Sequence, residues 1–313
     1  MWELTLLFLA GFYVGWNIGA NDTANCIGTS VGSGLLSYRR AVYLVAIFVV
    51  LGALLQGHNV MKTIGKGIVT EQLSAVAILV AMASAGLLIT LATTLKLPVS
   101  TSQAIVGGVA GVGFAAGAKV DLTKLITIVQ VWVLCPFLTA ILAFTIYHLL
   151  AMPLRRIRRV GLLDRLLGGL VIATAGYVAF SLGANDVGNA IGPIANLGIA
   201  PWWLAFLGGS ALALGALVYG KSVTETVGRE ITPLDPLSAI AAQGAAALAV
   251  HLFSILGIPV STTQAIIGAL IGTGLVKGVR TVSYGMVGQI ILGWGATPTL
   301  AGLLAFGLGK LIA

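Results

Sequence analysis

Charge is what this sequence lacks most. Of 313 residues only 8% are Asp, Glu, Lys or Arg, where a soluble domain carries roughly a quarter. With 58% hydrophobic residues and a mean hydropathy of +1.05, the chain reads as an integral membrane protein. Its length holds about ten segments of ~20 residues joined by short loops. Cysteine is nearly absent. Cys26 and Cys135 both lie in apolar runs, which excludes a disulfide framework and a cysteine metal site. Histidines number three and form no cluster. No activated nucleophile or nucleotide-binding loop accompanies them, so an enzyme is not expected. The start, Met1-Trp2-Glu3, runs straight into an apolar stretch with no basic region or small-residue cleavage site. A first membrane helix is expected there, not a signal peptide.

The few charges are placed unevenly. The net charge of +8 is densest at Arg155, Arg156, Arg158 and Arg159, a short loop between apolar runs. That pattern is a cytoplasmic anchor of membrane topology, not a nucleic-acid surface. Glycine is abundant, at 42 residues, which suits closely packed membrane helices.

The segment Gly19-Ala20-Asn21-Asp22, running through Asn25 to Gly28, recurs as Gly183-Ala184-Asn185-Asp186 through Asn189 to Gly192, with seven of ten positions identical. Pro98-Val99-Ser100-Thr101-Ser102-Gln103, through Gly107, recurs from Pro259 through Ser261, Thr262, Thr263 and Gln264 to Gly268, with eight of ten identical. Gly52-Ala53-Leu54 is echoed at Gly215-Ala216-Leu217, and Trp132…Pro136 at Trp294…Pro298. The offsets all lie between 161 and 164, so the chain is a duplication. We expect a first repeat over 1–154, a basic linker over 155–163 and a second repeat over 164–313.

Apolar runs at about 4–18, 40–57, 73–95, 98–117 and 124–151 are followed by a second set at about 164–182, 202–220, 237–257, 259–276 and 283–312. Five segments per half is an odd number, which inverts the second half relative to the first. With Arg155–Arg159 inside, Arg39, Arg40, Lys221 and Arg229 fall inside too, and both termini outside. His58, Lys62, Lys66, Lys119 and Lys124 then fall outside. The expected fold is an all-α membrane protein of two inverted repeats, with re-entrant helical hairpins whose helix N-termini meet near the midplane.

Pro98 and Pro259 cannot sit mid-helix without losing a hydrogen bond but suit a helix start. The hydroxyls that follow supply caps. A helix that begins inside the bilayer presents unpaired N–H groups and a positive dipole end, an anion site with no cationic side chain. Ser100, Thr101, Ser102, Ser261, Thr262 and Thr263 add donors suited to a tetrahedral oxyanion, with Asp22 and Asp186 beside them. An anion near two carboxylates in low dielectric meets repulsion on the order of several kcal/mol. Cations would neutralise it. Na⁺ is expected on Asn21, Asp22, Asn25 and Gln103 and on Asn185, Asp186, Asn189 and Gln264. Protonated aspartates would serve as well, and either choice couples anion to cation reciprocally. His251 is expected to make a helix–helix hydrogen bond, and Glu225 to be a solvated loop charge.

These paired motifs resemble the inorganic phosphate transporter family of sodium- or proton-coupled carriers, over essentially the whole chain. The resemblance implies phosphate uptake, an inverted-repeat fold with two hairpins, phosphate between the hairpin tips, and a homodimer in the cell membrane. Members of that family commonly carry His where this chain has Gln103 and Gln264. Glutamine does not titrate, which favours sodium over proton coupling. The long soluble loop that some members carry between their halves is lacking too. The expectation is therefore a sodium-coupled phosphate symporter working by alternating access, with no cofactor and no nucleic-acid partner. Proton-coupled phosphate or sulfate permeation is the nearest alternative, and an anion channel the alternative of another class.

Overall fold

The computed structural model describes residues 2–34, 36–95, 99–230, 235–278 and 284–312, with the side chains of 222–230, 277, 284–287 and 289–291 outside that description. Pro98 and the side chains of Glu225 and Arg229 therefore lie outside the described residues. Every regular element among them is a helix, apart from one isolated bridge between Val69 and Val120. The first half comprises α1 (Trp2–Gly32), α2 (Tyr38–Gln56), α3 (His58–Lys62) with a π turn at Thr63–Gly67, α4 (Ala75–Thr94), α5 (Thr101–Ala115) and α6 (Leu122–Leu154). The second comprises α7 (Val160–Ile191), α8 (Pro201–Glu230), α9 (Pro236–Ile255), α10 (Thr262–Lys277) and α11 (Tyr284–Ile312).

The chain is a membrane protein of this all-helical kind, with eight described helices long and apolar enough to span a bilayer. The helices α5 and α10 are not among them. At 15 and 16 residues they reach only about 22–24 Å, against ~30 Å of hydrocarbon. Each is instead one arm of a hairpin, α5 packed on α4 and α10 on α9. At the base of the first hairpin the chain closes on itself. Thr70 N–H donates to Lys119 O and Asp121 N–H to Ile68 O, at 3.1 and 2.8 Å. The first hairpin thus returns to the level at which it began.

Close approaches of helix backbones fix how the halves fit. A Cβ on Gly19 would lie 1.9 Å from Leu212 O, and one on Gly183 2.0 Å from Val49 O. A Cβ on Gly107 would lie 2.3 Å from Pro298 O, and one on Gly268 2.2 Å from Pro136 O. Each pair of contacts maps onto the other by the sequence offset. Hence α1 packs on α8 as α7 packs on α2, and α5 on α11 as α10 on α6. The echoed Trp…Pro segments are thereby explained: they belong to the last helix of each half, which crosses over to pack against the other half's hairpin.

The same contacts give direction. Gly15 meets Ala211, Gly19 meets Leu212 and Gly220 meets Thr23, so α1 and α8 run parallel. Because α8 turns back from α7 after a short connection at 192–200, α1 runs opposite to α7, its own repeat mate. The repeats are inverted.

The helix α1 continues well past its apolar run, which ends near residue 18, because the polar residues beyond it face protein and not lipid. Asn21, Asp22 and Asn25 are all buried. Similarly, α7 continues past its apolar run, which ends near residue 182, through the buried Asn185, Asp186 and Asn189 to Ile191.

Replacing Gly19 or Gly183 by Val should destabilise the fold by about 1–3 kcal/mol or more, since two backbones must separate. Gly168, with nothing within 4 Å of an added Cβ, should tolerate Ala without loss. Thermal unfolding of the detergent-solubilised variants checks the contrast.

Candidate functional site

Both Asp-Asn segments lie in the C-terminal parts of their helices, α1 and α7, and both hairpin tips are brought against them. All fourteen candidate side chains are buried: Asn21, Asp22, Asn25, Ser100, Thr101, Ser102, Gln103, Asn185, Asp186, Asn189, Ser261, Thr262, Thr263 and Gln264. The hairpin helices start at the serines and not at the prolines. Ser100 and Ser261 are the N-caps, their Oγ atoms accepting from the N–H of Gln103 at 3.3 Å and Gln264 at 3.1 Å. Pro259 stands two residues before its cap, so Pro259-Val260 lies outside the helix and the Val260 carbonyl is brought, buried, to the site.

The two tips interlock. Ser102 Oγ donates to Val260 O at 2.7 Å, and Thr263 Oγ1 lies 3.2 Å from Val99 O. Each hydroxyl also accepts from the opposite half's asparagine. Asn189 Nδ2 donates to Ser102 Oγ at 2.7 Å, and Asn25 Nδ2 to Thr263 Oγ1 at 2.9 Å. Trp132 Nε1–H braces the second tip from behind, donating to Pro259 O at 3.0 Å.

The carboxylates close the network. Asp22 Oδ1 accepts from Asn25 at 2.9 Å and Oδ2 from Thr101 Oγ1 at 2.8 Å. Asp186 Oδ1 accepts from both Asn185 and Asn189 at 2.7 Å. Asn185 also spans Val260, donating to its carbonyl at 2.8 Å and accepting from its N–H at 3.1 Å. Asn21, the matching residue, donates instead to Thr93 Oγ1 at 3.0 Å.

After these bonds Asp186 Oδ2, Asn189 Oδ1, Gln103 Oε1 and Gln264 Oε1 are buried with no donor among the described residues. A buried acceptor left unsatisfied costs about 1–3 kcal/mol, and more for a charged group. Oxygen donors of this kind match a hard cation, not a soft thiophilic metal. Among the described residues no group of three or more His, Cys, Asp or Glu could hold a metal ion.

Sequence reasoning missed some members of the site. Thr93 belongs to α4 and carries no motif, while Val99 and Val260 contribute only backbone. Gln243, which donates to Cys26 O at 2.8 Å and Ser30 Oγ at 2.6 Å, ties α9 to α1 without a matching motif. His251 does make the expected helix–helix bonds, to Tyr177 OH at 2.8 Å and Gln56 Oε1 at 2.7 Å.

Known proteins resemble this chain along its whole length. Residues 18–161 and 155–305 each match the family model described as the phosphate transporter family. A protein of Methanocaldococcus jannaschii named a phosphate permease is 33% identical, over 99% of this chain and 98% of its own length. One of Pyrococcus horikoshii, named likewise, is 32% identical over 96% of both chains. The inorganic phosphate transporter 2-1 of Arabidopsis thaliana is 29% identical, over 96% of this chain and 70% of its own. A solved structure titled the sodium-dependent phosphate transporter superposes with a TM-score of 0.89, at 27% identity, over 100% of this chain and 99% of its own.

Ser102→Ala removes a donor to one tip and an acceptor for Asn189. It should cost about 1–3 kcal/mol, with a lower Tm in detergent. Thr145→Ala, whose hydroxyl bonds only Ile141 of its own helix, should leave the Tm unchanged.

Proposed function

From the premise that this chain belongs to the phosphate transporter family, we propose that it is a sodium-coupled phosphate symporter working by alternating access. The family is one of transporters, not enzymes. One observation supports sodium in particular: acceptor oxygens without a donor on Asp186, Asn189 and the paired Gln103 and Gln264 are buried in the helices that build the site.

Phosphate is the substrate between the tips. Its oxygens are taken by the hydroxyls of Ser100, Thr101, Ser102, Ser261, Thr262 and Thr263 and by the N–H groups that open α5 and α10. A protonated phosphate oxygen can donate to Asp22 or Asp186, which sulfate cannot do at neutral pH. Sodium is taken by the carboxylates of Asp22 and Asp186 and the carbonyl oxygens of Asn21, Asn25, Gln103, Asn185, Asn189 and Gln264. Its charge offsets that of the aspartates, so neither ion binds well alone, and linkage makes the dependence mutual. Movement of one hairpin against the other half exposes the site to either side in turn.

The chain is placed in the cell membrane with the Arg155–Arg159 loop in the cytoplasm and both termini outside. Repeats over 1–154 and 164–313 flank that linker. The assembly is a homodimer, in keeping with the family resemblance, with lipid around it. The free Asp186 Oδ2 also suits a proton, which keeps proton coupling as the second reading.

Purified protein in proteoliposomes should take up labelled phosphate only with an inward sodium gradient, and sulfate should compete poorly. Uptake that follows a pH gradient and ignores sodium would select the proton reading. Asp22→Asn and Asp186→Asn should each reduce uptake about 10- to 100-fold, the loss of one or two charge-assisted contacts. Gln103→Leu and Gln264→Leu should raise the sodium concentration needed for half-maximal uptake while leaving the Tm near that of the parent.

A further inference from the structure

A cavity of about 340 Å³ opens beside the second hairpin tip, lined by Lys62, Lys66 and Lys124 together with Asn59, Thr63 and Gly257. Three cations converge there from two elements, the α3–π turn segment and the first turn of α6. Wide π turns are frequent at functional sites, and this one sets Lys62 and Lys66 on a common rim. Among the described residues no carboxylate forms a salt bridge with any of the three. Asp121, the nearest in sequence, turns its carboxylate onto the backbone N–H of Lys124 at 2.9 Å.

The cavity touches the transport machinery directly. Its wall is Ile255–Gly257, the end of α9, and Asn59 Nδ2 donates to Ile255 O at 3.0 Å. Gly257, with φ +68°, lets that turn press on α3, where a Cβ would sit 3.1 Å from Asn59 O. Four residues further on, Ser261 caps α10 at the site.

The duplication supplies a control. Residues 52–67 align without gaps on 215–230, and the rim position Lys62 falls on Glu225, Lys66 on Arg229 and Gly67 on Glu230. At the offset of 162, Lys124 falls on Met286. One mouth is therefore cationic in sequence where its counterpart is balanced. The cationic mouth sits at the start of α6, whose 33 residues carry the chain about 50 Å to the Arg155–Arg159 loop. It therefore faces away from the cytoplasm.

We propose that Lys62, Lys66 and Lys124 form a one-sided vestibule that captures a phosphate-bearing anion at the outer mouth, before it passes the second hairpin tip. The ligand is free inorganic phosphate; a lipid headgroup presents the same chemistry. This inference rests on the reading of the chain as a phosphate carrier. Field focusing in a charged cleft raises the local anion concentration and entry rate, and salt weakens it.

The test measures phosphate uptake by the full chain in oriented proteoliposomes of neutral lipid, with the triple variant Lys62→Gln, Lys66→Gln, Lys124→Gln and each single variant. The KM for external phosphate should rise roughly tenfold in the triple variant, in line with loss of steering. The maximal influx rate should be unchanged, the ratio of maximal rate to KM for efflux should fall by the same factor as detailed balance requires, and the dependence of the influx KM on external ionic strength should flatten. Lys62→Glu, which copies the counterpart mouth, should raise the influx KM further than Lys62→Gln. An unchanged KM and salt slope in variants that fold, beside a parent that imports phosphate, would overturn the vestibule and leave the carrier intact. A difference between parent and variants seen only in vesicles containing anionic lipid would assign the lysines to lipid headgroups and also overturn it. A parent that moves no phosphate under any gradient removes the carrier reading and the vestibule with it.

Discussion

Two carboxylates at zero exposure in a membrane-embedded bundle set the terms for the rest of this structure. A charged group there is tolerated only with partners at hand, and a helix that starts inside the bundle has N–H groups that need acceptors. The hairpin tips meet both needs, with capping serines for the N–H groups and hydroxyls for the acids. The hairpins bring helix starts and hydroxyls to Asp22 and Asp186, and the Asn residues one helical turn along, Asn25 and Asn189, bridge each carboxylate to the opposite tip. Neither half can satisfy its own polar groups alone, so the site and the interface between repeats are one construction.

That dependence explains where the glycines fall. To bring Asp22 and Asp186 to the same tips, α1 and α7 must each press backbone to backbone on a helix of the other repeat. The approach at Gly19 and Gly183 leaves no room for a methyl group. Between apolar helices in lipid there is little hydrophobic gain from association, so such close packing and the polar network carry the specificity. The crossed-over packing of α6 and α11 on the hairpins of the other half holds each re-entrant helix from behind, and Trp132 adds a bond to the tip itself.

Much of this was legible in the sequence because duplication doubles every signal. Asp22 alone could be a stray buried acid; Asp22 with Asp186, each followed by a Pro-Val-Ser-Thr segment at a constant offset, could not. The hairpins were legible from hydroxyls and a proline opening an apolar run, but that their helices have only 15 and 16 residues was not, since the apolar runs are longer. Less legible were the extents of α1 and α7. A hydropathy reading ends where polar residues begin, whereas the helix continues because those residues face protein. Thr93 and the backbone of Val99 and Val260 left no trace, since a lone threonine on an apolar helix and a carbonyl freed by local geometry have no compositional mark. The lysine mouth was visible only as an awkward excess of positive charge on the outer side; tertiary contact turned scattered residues into one rim.

The departures from symmetry are what alternating access would require. Thr101 and Thr262 are the same residue at equivalent positions, yet Thr101 bonds Asp22 Oδ2 while Asp186 Oδ2 has no donor. Asn21 and Asn185 are likewise identical, yet one holds Thr93 and the other both polar groups of Val260. Identical side chains in unlike roles mean that the difference lies in arrangement, not in composition. For two halves this similar, the arrangement with the roles exchanged uses the same kinds of bonds and differs in energy only through the substitutions between copies. Those substitutions are modest at the tips, where Ser102 corresponds to Thr263. A small gap between two such states is the condition under which a bound ion pair, by preferring one of them, can shift the population and carry itself across.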